Sequence, residues 1–207
     1  ELEKIETKRS AAKQPRNLDA WDCYLRGLSF LYGSTKDGNV RAREMFERAL
    51  ELDSNYGPAY AGMAYVLNRD ILLDSVDAFD DAAARCLDAA ERAVALDEVS
   101  SGARTALVRA LLWFDQYDTA IEEAQKAVQL NPFDAHAHIW VGTALVFAGR
   151  WEEGIPQLET ALEFAPSDPR TYIFTTVLSF AYLTIDRLDR SLSQCPAGNE
   201  LSGISHL

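Results

Sequence analysis

The segment AVQLNPFDAHAHIWVG, residues 127–142, decides the fold because three other stretches of the chain repeat its pattern. They are ALELDSNYGPAYAGMA from Ala49, AVALDEVSSGARTALV from Ala93 and ALEFAPSDPRTYIFTT from Ala161. With the segment at Ala127, the successive stretches begin 44, 34 and 34 residues apart. A short unit that recurs at such spacing cannot bury its apolar face alone and is stabilised by stacking on its neighbours.

Each repeat is predicted to contain two antiparallel helices, A and B. In the A helix of residues 101–134, Leu107, Val108 and Leu111 share one helical face. In the B helix, small residues recur where two helices approach closely, at Ala120, Ala124 and Ala127. Pro132 ends that repeat because proline cannot continue a helix, and Gly149-Arg150 is predicted to form the turn within the next. The predicted class is all-α, an α-solenoid of antiparallel helix pairs.

The repeats assign the chain to one array over residues 17–207, with residues 1–16 as a linker helix from a preceding domain. Its predicted parts are helix pairs at about 22–56, 57–100, 101–134 and 135–168, a partial fifth pair at 169–195 and a tail at 196–207. The first pair contains the predicted turn GSTKDGN, residues 33–39. The second has ten extra residues in or near NRDILLDSVD, which predicts a longer first helix or an extended turn. In the fifth, Tyr172 opens helix A, and helix B is expected near Asp186–Ser193.

Charge and composition exclude several classes of function. The 207 residues carry 32 acidic and 20 Lys or Arg side chains, a net charge of −12, which disfavours binding to nucleic-acid backbones and to anionic membranes. The longest uncharged run, 171–185, is shorter than the ~20 residues that span a bilayer. Three widely spaced cysteines and no recognisable secretory signal predict a cytoplasmic protein without disulfides.

Motifs for catalysis, cofactors or metals are absent from the sequence. It contains no G-x-G-x-x-G, P-loop, H-E-x-x-H or G-x-S-x-G pattern. His136 and His138 are two residues apart on a predicted helix and therefore point to different faces. Asp74, Asp77 and nearby aspartates do not have the spacing of a calcium loop. Cys86 occupies a small-residue packing position, which predicts an inert thiol. We therefore expect no enzyme activity, cofactor or metal in this chain.

The period of 34 residues identifies the array as similar to tetratricopeptide (TPR) repeats, which form a right-handed superhelix. Two phrases also resemble the carboxyl-terminal repeats of bacterial class III adenylate or guanylate cyclases and of related regulators with TolB-like or winged-helix domains. They are LDAWDCYLRG at residues 18–27 and ALELDSNYGPAYAG at residues 49–62. From about Asp186 the sequence departs from that pattern. No cyclase residue is carried over, because the catalytic domain of such enzymes is separate from the repeats.

The TPR resemblance implies that the A helices line an inner groove, with repeat positions 2, 5, 9, 12 and 13 facing it. The candidate groove residues are Arg26, Phe30, Tyr65, Asn68, Arg69, Arg109, Leu112, Trp113, Ile139, Thr143 and Phe147. Aromatic anchors beside arginines suit the binding of a peptide or protein segment. The alternative is that neighbouring helices bury these residues as core. Some TPR domains hold chaperone tails with a basic clamp of Lys, Asn and Arg. That clamp is not expected here, because only the first of the corresponding residues is suitable; they are Arg26, Phe30, Gly62, Gly102 and Ala106.

The predicted function is therefore a regulatory or scaffolding module that binds a protein, a peptide or the effector domain of its own polypeptide. The second hypothesis is oligomerisation, in which the repeats hold two copies of a linked cyclase or transcriptional regulator together as a homodimer.

Overall fold

The computed structural model describes residues 18–32, 35–73, 78–166 and 171–185, which fold into nine α-helices with no strand among them. The helices are α1 Leu18–Tyr32, α2 Lys36–Leu52, α3 Gly57–Leu72, α4 Phe79–Leu96, α5 Ser101–Leu112, α6 Tyr117–Leu130, α7 Ala135–Phe147, α8 Trp151–Phe164 and α9 Thr171–Thr184. The predicted all-α class is confirmed. The linker helix expected at 1–16, the second helix of the fifth pair and the tail at 196–207 lie outside the described residues.

The chain divides into an N-terminal unit, Glu1–Glu98, and a C-terminal unit, Val99–Leu207. In the N-terminal unit α1 packs on α2 and α3 packs on α4 as antiparallel pairs, and α3 also contacts α1 and α2. In the C-terminal unit α5 pairs with α6 and α7 pairs with α8, while α9 packs on α7 and α8. We call α1, α3, α5, α7 and α9 the A helices and α2, α4, α6 and α8 the B helices. This arrangement of pairs is that of an α-solenoid.

Local sequence signals begin and end the helices. The Thr35, Ser100 and Asp134 side chains each accept a hydrogen bond from a backbone N–H in the first turn of α2, α5 and α7. Gly149 has a φ of 78°, which glycine adopts without strain, and it ends α7 just before α8 begins at Trp151. The predicted turn at Gly149-Arg150 is thereby confirmed.

The turn predicted at residues 33–39 is too long, because α2 already begins at Lys36. Thr35 Oγ1 accepts from the Gly38 N–H at 2.9 Å and caps the helix. A Cβ on Gly38 would lie 2.7 Å from the Phe30 carbonyl oxygen, so glycine permits a close helix approach there. Asn39 is buried. Residues typical of a loop are therefore helical here because packing against α1 and α3 overrides their local preference.

The ten extra residues of the second pair lengthen its helices. Helix α3 has 16 residues, against 12 in α5 and 13 in α7, and α4 has 18, against 14 in α6 and α8. The expectation of a longer first helix is confirmed. Residues 74–77 lie outside the described part of the chain.

Small residues bring the paired helices together. The predicted packing alanines of α6, Ala120, Ala124 and Ala127, are fully buried. Helices α7 and α8 approach closely at Gly142 and Gly154, where a Cβ on either glycine would lie within 2.9 Å of the other's carbonyl oxygen. The pairs are therefore held at short range by side chains that leave room for the partner backbone.

A buried ion pair fixes α5 against α6 and makes the stability of the C-terminal unit depend on pH. Arg104 and Lys126 both donate to the Glu123 carboxylate, and Arg104 and Glu123 are mostly buried. Burial alone would raise the pKa of Glu123, but the hydrogen bonds from Lys126 and Arg104 outweigh it and hold the pKa below its ordinary value of 4.5. A carboxyl whose pKa is lower in the folded chain contributes stability above the unfolded pKa and loses it as the pH falls through the folded value.

The free energy of unfolding of the wild-type protein should decrease between pH 7 and pH 3. In Glu123→Gln we expect this decrease to be smaller by about 1 kcal/mol, because the glutamine cannot be protonated in this range. Urea unfolding at the two pH values measures this. Glu122→Gln, at an exposed position beside it, is the matched control and should keep the wild-type pH dependence. Equal pH dependence in wild type and Glu123→Gln would contradict the assignment.

Candidate functional site

Charge is segregated between the two kinds of helix in the C-terminal unit. The A helices α5, α7 and α9 contain no acidic residue, and their charged side chains are Arg104 and Arg109 alone. The B helices α6 and α8 contain seven acidic residues and one lysine. The A-helix side therefore presents an apolar surface with weak positive charge beside a strongly acidic B-helix side.

The candidate groove residues of the C-terminal unit fall into two groups. Ile139 and Thr143 of α7 are buried, whereas Phe147 is 51% exposed and Arg109, Leu112 and Trp113 are half-buried. Ile139 is buried in a cluster with Ala161 and Phe174. The buried members are not accessible to a ligand, and the accessible ones lie toward the carboxyl ends of α5 and α7.

Arg109 is positioned by an aromatic ring on the next A helix. Its guanidinium carbon lies 4.9 Å from the centroid of the Trp140 ring, which is half-buried. Such cation–π stacking holds the guanidinium in place. The sequence did not indicate Trp140, because its position in the repeat is not one of those assigned to the groove. The feature that could have indicated this residue is a tryptophan in a helix that contains no Asp, Glu, Lys or Arg.

In the N-terminal unit the candidate residues also differ in accessibility. Arg26 is exposed and forms a surface ion pair with Asp22 at 2.7 Å, and Tyr65 is half-buried. Phe30 is half-buried under the Arg41 guanidinium, 5.8 Å from its ring centroid. Arg69 Nη1 donates to the Leu31 carbonyl oxygen at 3.0 Å and so caps the end of α1. Asn68 is buried. Arg26, Phe30, Tyr65 and Arg69 are the accessible candidates on these two A helices.

The histidines and the cysteine singled out in the sequence have structural contacts. His138 Nδ1 lies 2.9 Å from Gln157 Oε1, and its Nε2 lies 2.9 Å from the Pro132 carbonyl oxygen. His136 contacts the Phe174 ring edge to face at 6.1 Å. Cys86 is buried, as predicted, and its Sγ lies 3.3 Å from the Ala64 carbonyl oxygen.

Within the described residues, no group of three or more His, Cys, Asp and Glu side chains is placed to hold a metal ion. Of the helices described, none combines the length and apolar character needed to cross a membrane. Two of the positions of a chaperone-tail clamp, Gly62 and Ala106, are buried.

Comparison with known proteins shows the fold. No family model matches the sequence, and no curated protein matches it significantly. The thermophilic TPR protein TTC0263 of Thermus thermophilus superimposes with a TM-score of 0.65 at 21% identity, covering 84% of this chain and 87% of that one. PilF of Pseudomonas aeruginosa superimposes with a TM-score of 0.63 at 15% identity, covering 87% of this chain and 75% of PilF. MamA of Desulfovibrio magneticus RS-1 superimposes with a TM-score of 0.55 at 18% identity, covering 85% of this chain and 90% of MamA. The chain thus has the fold of TPR proteins, an α-solenoid of antiparallel helix pairs.

Proposed function

We propose that this chain is a protein-interaction module that binds a peptide or protein segment on the A-helix side of its C-terminal unit. The charge segregation in that unit carries the proposal. The A-helix surface contains no acidic group, although it lies next to the acidic B-helix surface. An apolar ligand can therefore be buried against it without also burying an unpaired carboxylate.

The contact residues proposed in this unit are Arg109, Leu112, Trp113 and Phe147. Large aromatic side chains supply most of the binding energy in protein interfaces, because their burial removes much apolar surface from water. The planar guanidinium of Arg109 is the kind of group that binds carboxylates or backbone carbonyl oxygens of a ligand. In the N-terminal unit, Arg26, Phe30, Tyr65 and Arg69 are the corresponding candidates.

Selection from a random peptide library displayed on phage tests this surface without knowledge of the natural partner. Peptides enriched on the wild-type protein should bind Trp113→Ala and Phe147→Ser about tenfold more weakly or worse, since each loss of an aromatic anchor costs about 1–2 kcal/mol or more. Fluorescence anisotropy measures the affinities. Circular dichroism checks that each variant keeps its helix content.

Phe133→Ser is the matched control, because Phe133 is exposed in the turn between α6 and α7 and not on an A helix. Its affinity for the enriched peptides should equal that of the wild type. Failure to enrich any peptide, or peptides that tolerate Trp113→Ala and Phe147→Ser but not Phe133→Ser, would overturn the proposed surface.

We further propose that this module regulates a bacterial signalling protein such as a class III adenylate cyclase and has no catalytic activity of its own. The resemblance of residues 18–27 and 49–62 to cyclase-linked repeats supports this proposal, and the cysteine content supports a cytoplasmic location. In this setting the ligand is another protein or the effector domain of the same polypeptide. The reading frame that encodes Glu1 tests the link: a cyclase catalytic domain in it is expected, and an unrelated effector domain would contradict the assignment.

Oligomerisation is the second candidate function. Class III cyclases build their active site between two chains, so repeats that dimerise would bring two catalytic domains together. Light scattering over a concentration series tests it: a dimer in the micromolar range is expected, and a strict monomer at high micromolar concentration would contradict it.

A further inference from the structure

A pocket of about 410 Å³ opens at the end of the α3–α4 pair where α3 begins and α4 ends. This volume is within the range of ligand sites in proteins. The chain is described without a gap from 35 to 73 and from 78 to 166, so no undescribed segment adjoins the lining residues in sequence. All of them belong to the N-terminal unit: Ser54, Asn55, Tyr60, Arg92, Ala95 and Leu96. We call this site the α3–α4 pocket.

The turn that forms one wall of the pocket is repeated in the C-terminal unit. Before α3 the Asn55 N–H donates to Asp53 Oδ1 at 3.0 Å, and before α7 the Phe133 N–H donates to Asn131 Oδ1 at 3.4 Å. In both turns the residue three positions after that Asp or Asn donates its N–H to the carbonyl oxygen of the same Asp or Asn at 3.1 Å. The two turns lie 78 residues apart, which is the combined length of the 44- and 34-residue spacings of the repeats. Asn55 therefore stands where the other turn has Phe133.

An aromatic ring occupies the corresponding place in the α7–α8 pair. The ring centroid of Phe133 lies 5.8 Å from that of Phe164, and the ring of His138 lies 5.4 Å from Phe164. Leu96 corresponds to Phe164, because each is the last residue of its B helix. Tyr60 corresponds to His138, because each is the fourth residue of its A helix. The α3–α4 pocket thus has the apolar and aromatic walls of this arrangement, but no ring at the position of Phe133.

Arg92 adds a cation to the pocket. Its guanidinium carbon lies 5.7 Å from the Tyr60 ring centroid, and its Nη1 donates to the Tyr60 hydroxyl at 3.5 Å. Its Nε lies 3.3 Å from Asp88 Oδ2, so part of the charge is already neutralised. Neither contact uses Nη2, which can donate to a ligand. Since Asp88 is close and the chain has a net charge of −12, a backbone carbonyl oxygen suits Nη2 better than a carboxylate.

We propose that the α3–α4 pocket binds an aromatic side chain of a partner polypeptide. The ring packs against Leu96 and Tyr60, and a neighbouring backbone carbonyl oxygen accepts from Arg92. The equivalent turn defines the occupant as a phenylalanine that follows a proline, as Phe133 follows Pro132. Leu96 is 38% exposed, so such a ring removes apolar surface of both partners from water. This pocket and the interaction surface proposed above belong to different units of the chain.

A short peptide provides a defined probe. N-acetyl-Pro-Phe-Gly-amide copies the turn residues Pro132 and Phe133, and the same peptide with alanine in place of phenylalanine is the control. Titration of the full ¹⁵N-labelled chain is followed by NMR. The backbone amide signals of Ser54, Asn55 and Leu96 should shift and saturate with a Kd on the order of 1 mM, since a single side chain supplies most of the contact. The alanine peptide should cause no saturating shift.

Asn55→Phe should weaken binding of the phenylalanine peptide tenfold or more, because the chain's own ring then occupies the pocket as Phe133 does in the other pair. Leu96→Ser removes the apolar wall and should weaken binding about fivefold or more; it keeps the test decisive if Asn55→Phe does not fold. Gln125→Phe is the matched control, because it adds a ring at an exposed position of α6 in the other unit and should bind as the wild type does. Thermal melts check that each variant folds.

Three results would overturn the proposal: no saturating shift at about 10 mM peptide, equal binding of the alanine peptide, or equal binding to the wild type and to the folded Asn55→Phe and Leu96→Ser variants. Light scattering adds a fourth. If Asn55→Phe converts a wild-type dimer into a monomer, a second copy of the chain fills the pocket in place of a partner. Peptides selected for contact with Trp113 and Phe147 should bind all these variants normally, so the two proposals fail independently.

Discussion

Gly154→Val is expected to destabilise the C-terminal unit by about 3 kcal/mol or more. A Cβ at position 154 would lie 2.8 Å from the Gly142 carbonyl oxygen, 2.9 Å from Val146 Cγ2 and 3.2 Å from Leu145 Cβ. The first of these neighbours is backbone and cannot rotate away. Helices α7 and α8 must therefore separate, which breaks the packing of Leu158 and Val146 beside the contact.

Gly102→Ala is the matched control, since Gly102 is also helical but the only atom near its added Cβ is Ser100 Oγ at 3.8 Å. Alanine is the better helix former, so this change should be neutral or stabilise by about 0.5–1 kcal/mol. Urea unfolding followed by circular dichroism measures both. If Gly154→Val and Gly102→Ala unfold at similar urea concentrations, helices α7 and α8 do not approach closely at Gly154.

Asp70→Ala is expected to cost the N-terminal unit about 3 kcal/mol. The Asp70 carboxylate on α3 accepts from Arg43 and, at 2.6 Å, from Asn39 Nδ2. Asn39 also donates to the Val66 carbonyl oxygen at 3.1 Å. The side chains of Arg43 and Asp70 are only 27% and 15% exposed. Removal of the carboxylate leaves a largely buried guanidinium without its acceptor and takes one of two acceptors from the buried Asn39 amide, and this desolvation dominates the cost.

The surface pair Arg41–Asp37 on α2 supplies the comparison. Its side chains are 57% and 73% exposed, so Asp37→Ala should cost no more than about 0.5 kcal/mol. A double-mutant cycle with Arg43→Met and Asp70→Ala isolates the coupling energy of the buried pair. Equal losses for Asp37→Ala and Asp70→Ala would show that the carboxylate of Asp70 is not buried against α2.

The candidate site was predictable only in part. Arginines and aromatics on the A helices could be read from the sequence, and Phe147 and Trp113 are accessible as the groove hypothesis requires. Ile139 and Thr143 have the same repeat positions as accessible residues elsewhere, yet they are buried. A position in the repeat fixes the direction in which a side chain points, whereas burial depends on how closely the next A helix approaches.

Sequence by itself determined the helix pairs, because its signals are local. Each of these signals acts within one or two helical turns. They are the recurrence of apolar residues about every 3.6 positions, the buried alanines at 120, 124 and 127, and the end of a helix at Gly149. Only the tertiary structure decided two features: the early start of α2 at Lys36, and the contact of Asp70 with Asn39 and Arg43. Each depends on residues distant in sequence that compete for the same space, and the free energy of such packing is a property of the assembled helices and not of any one segment.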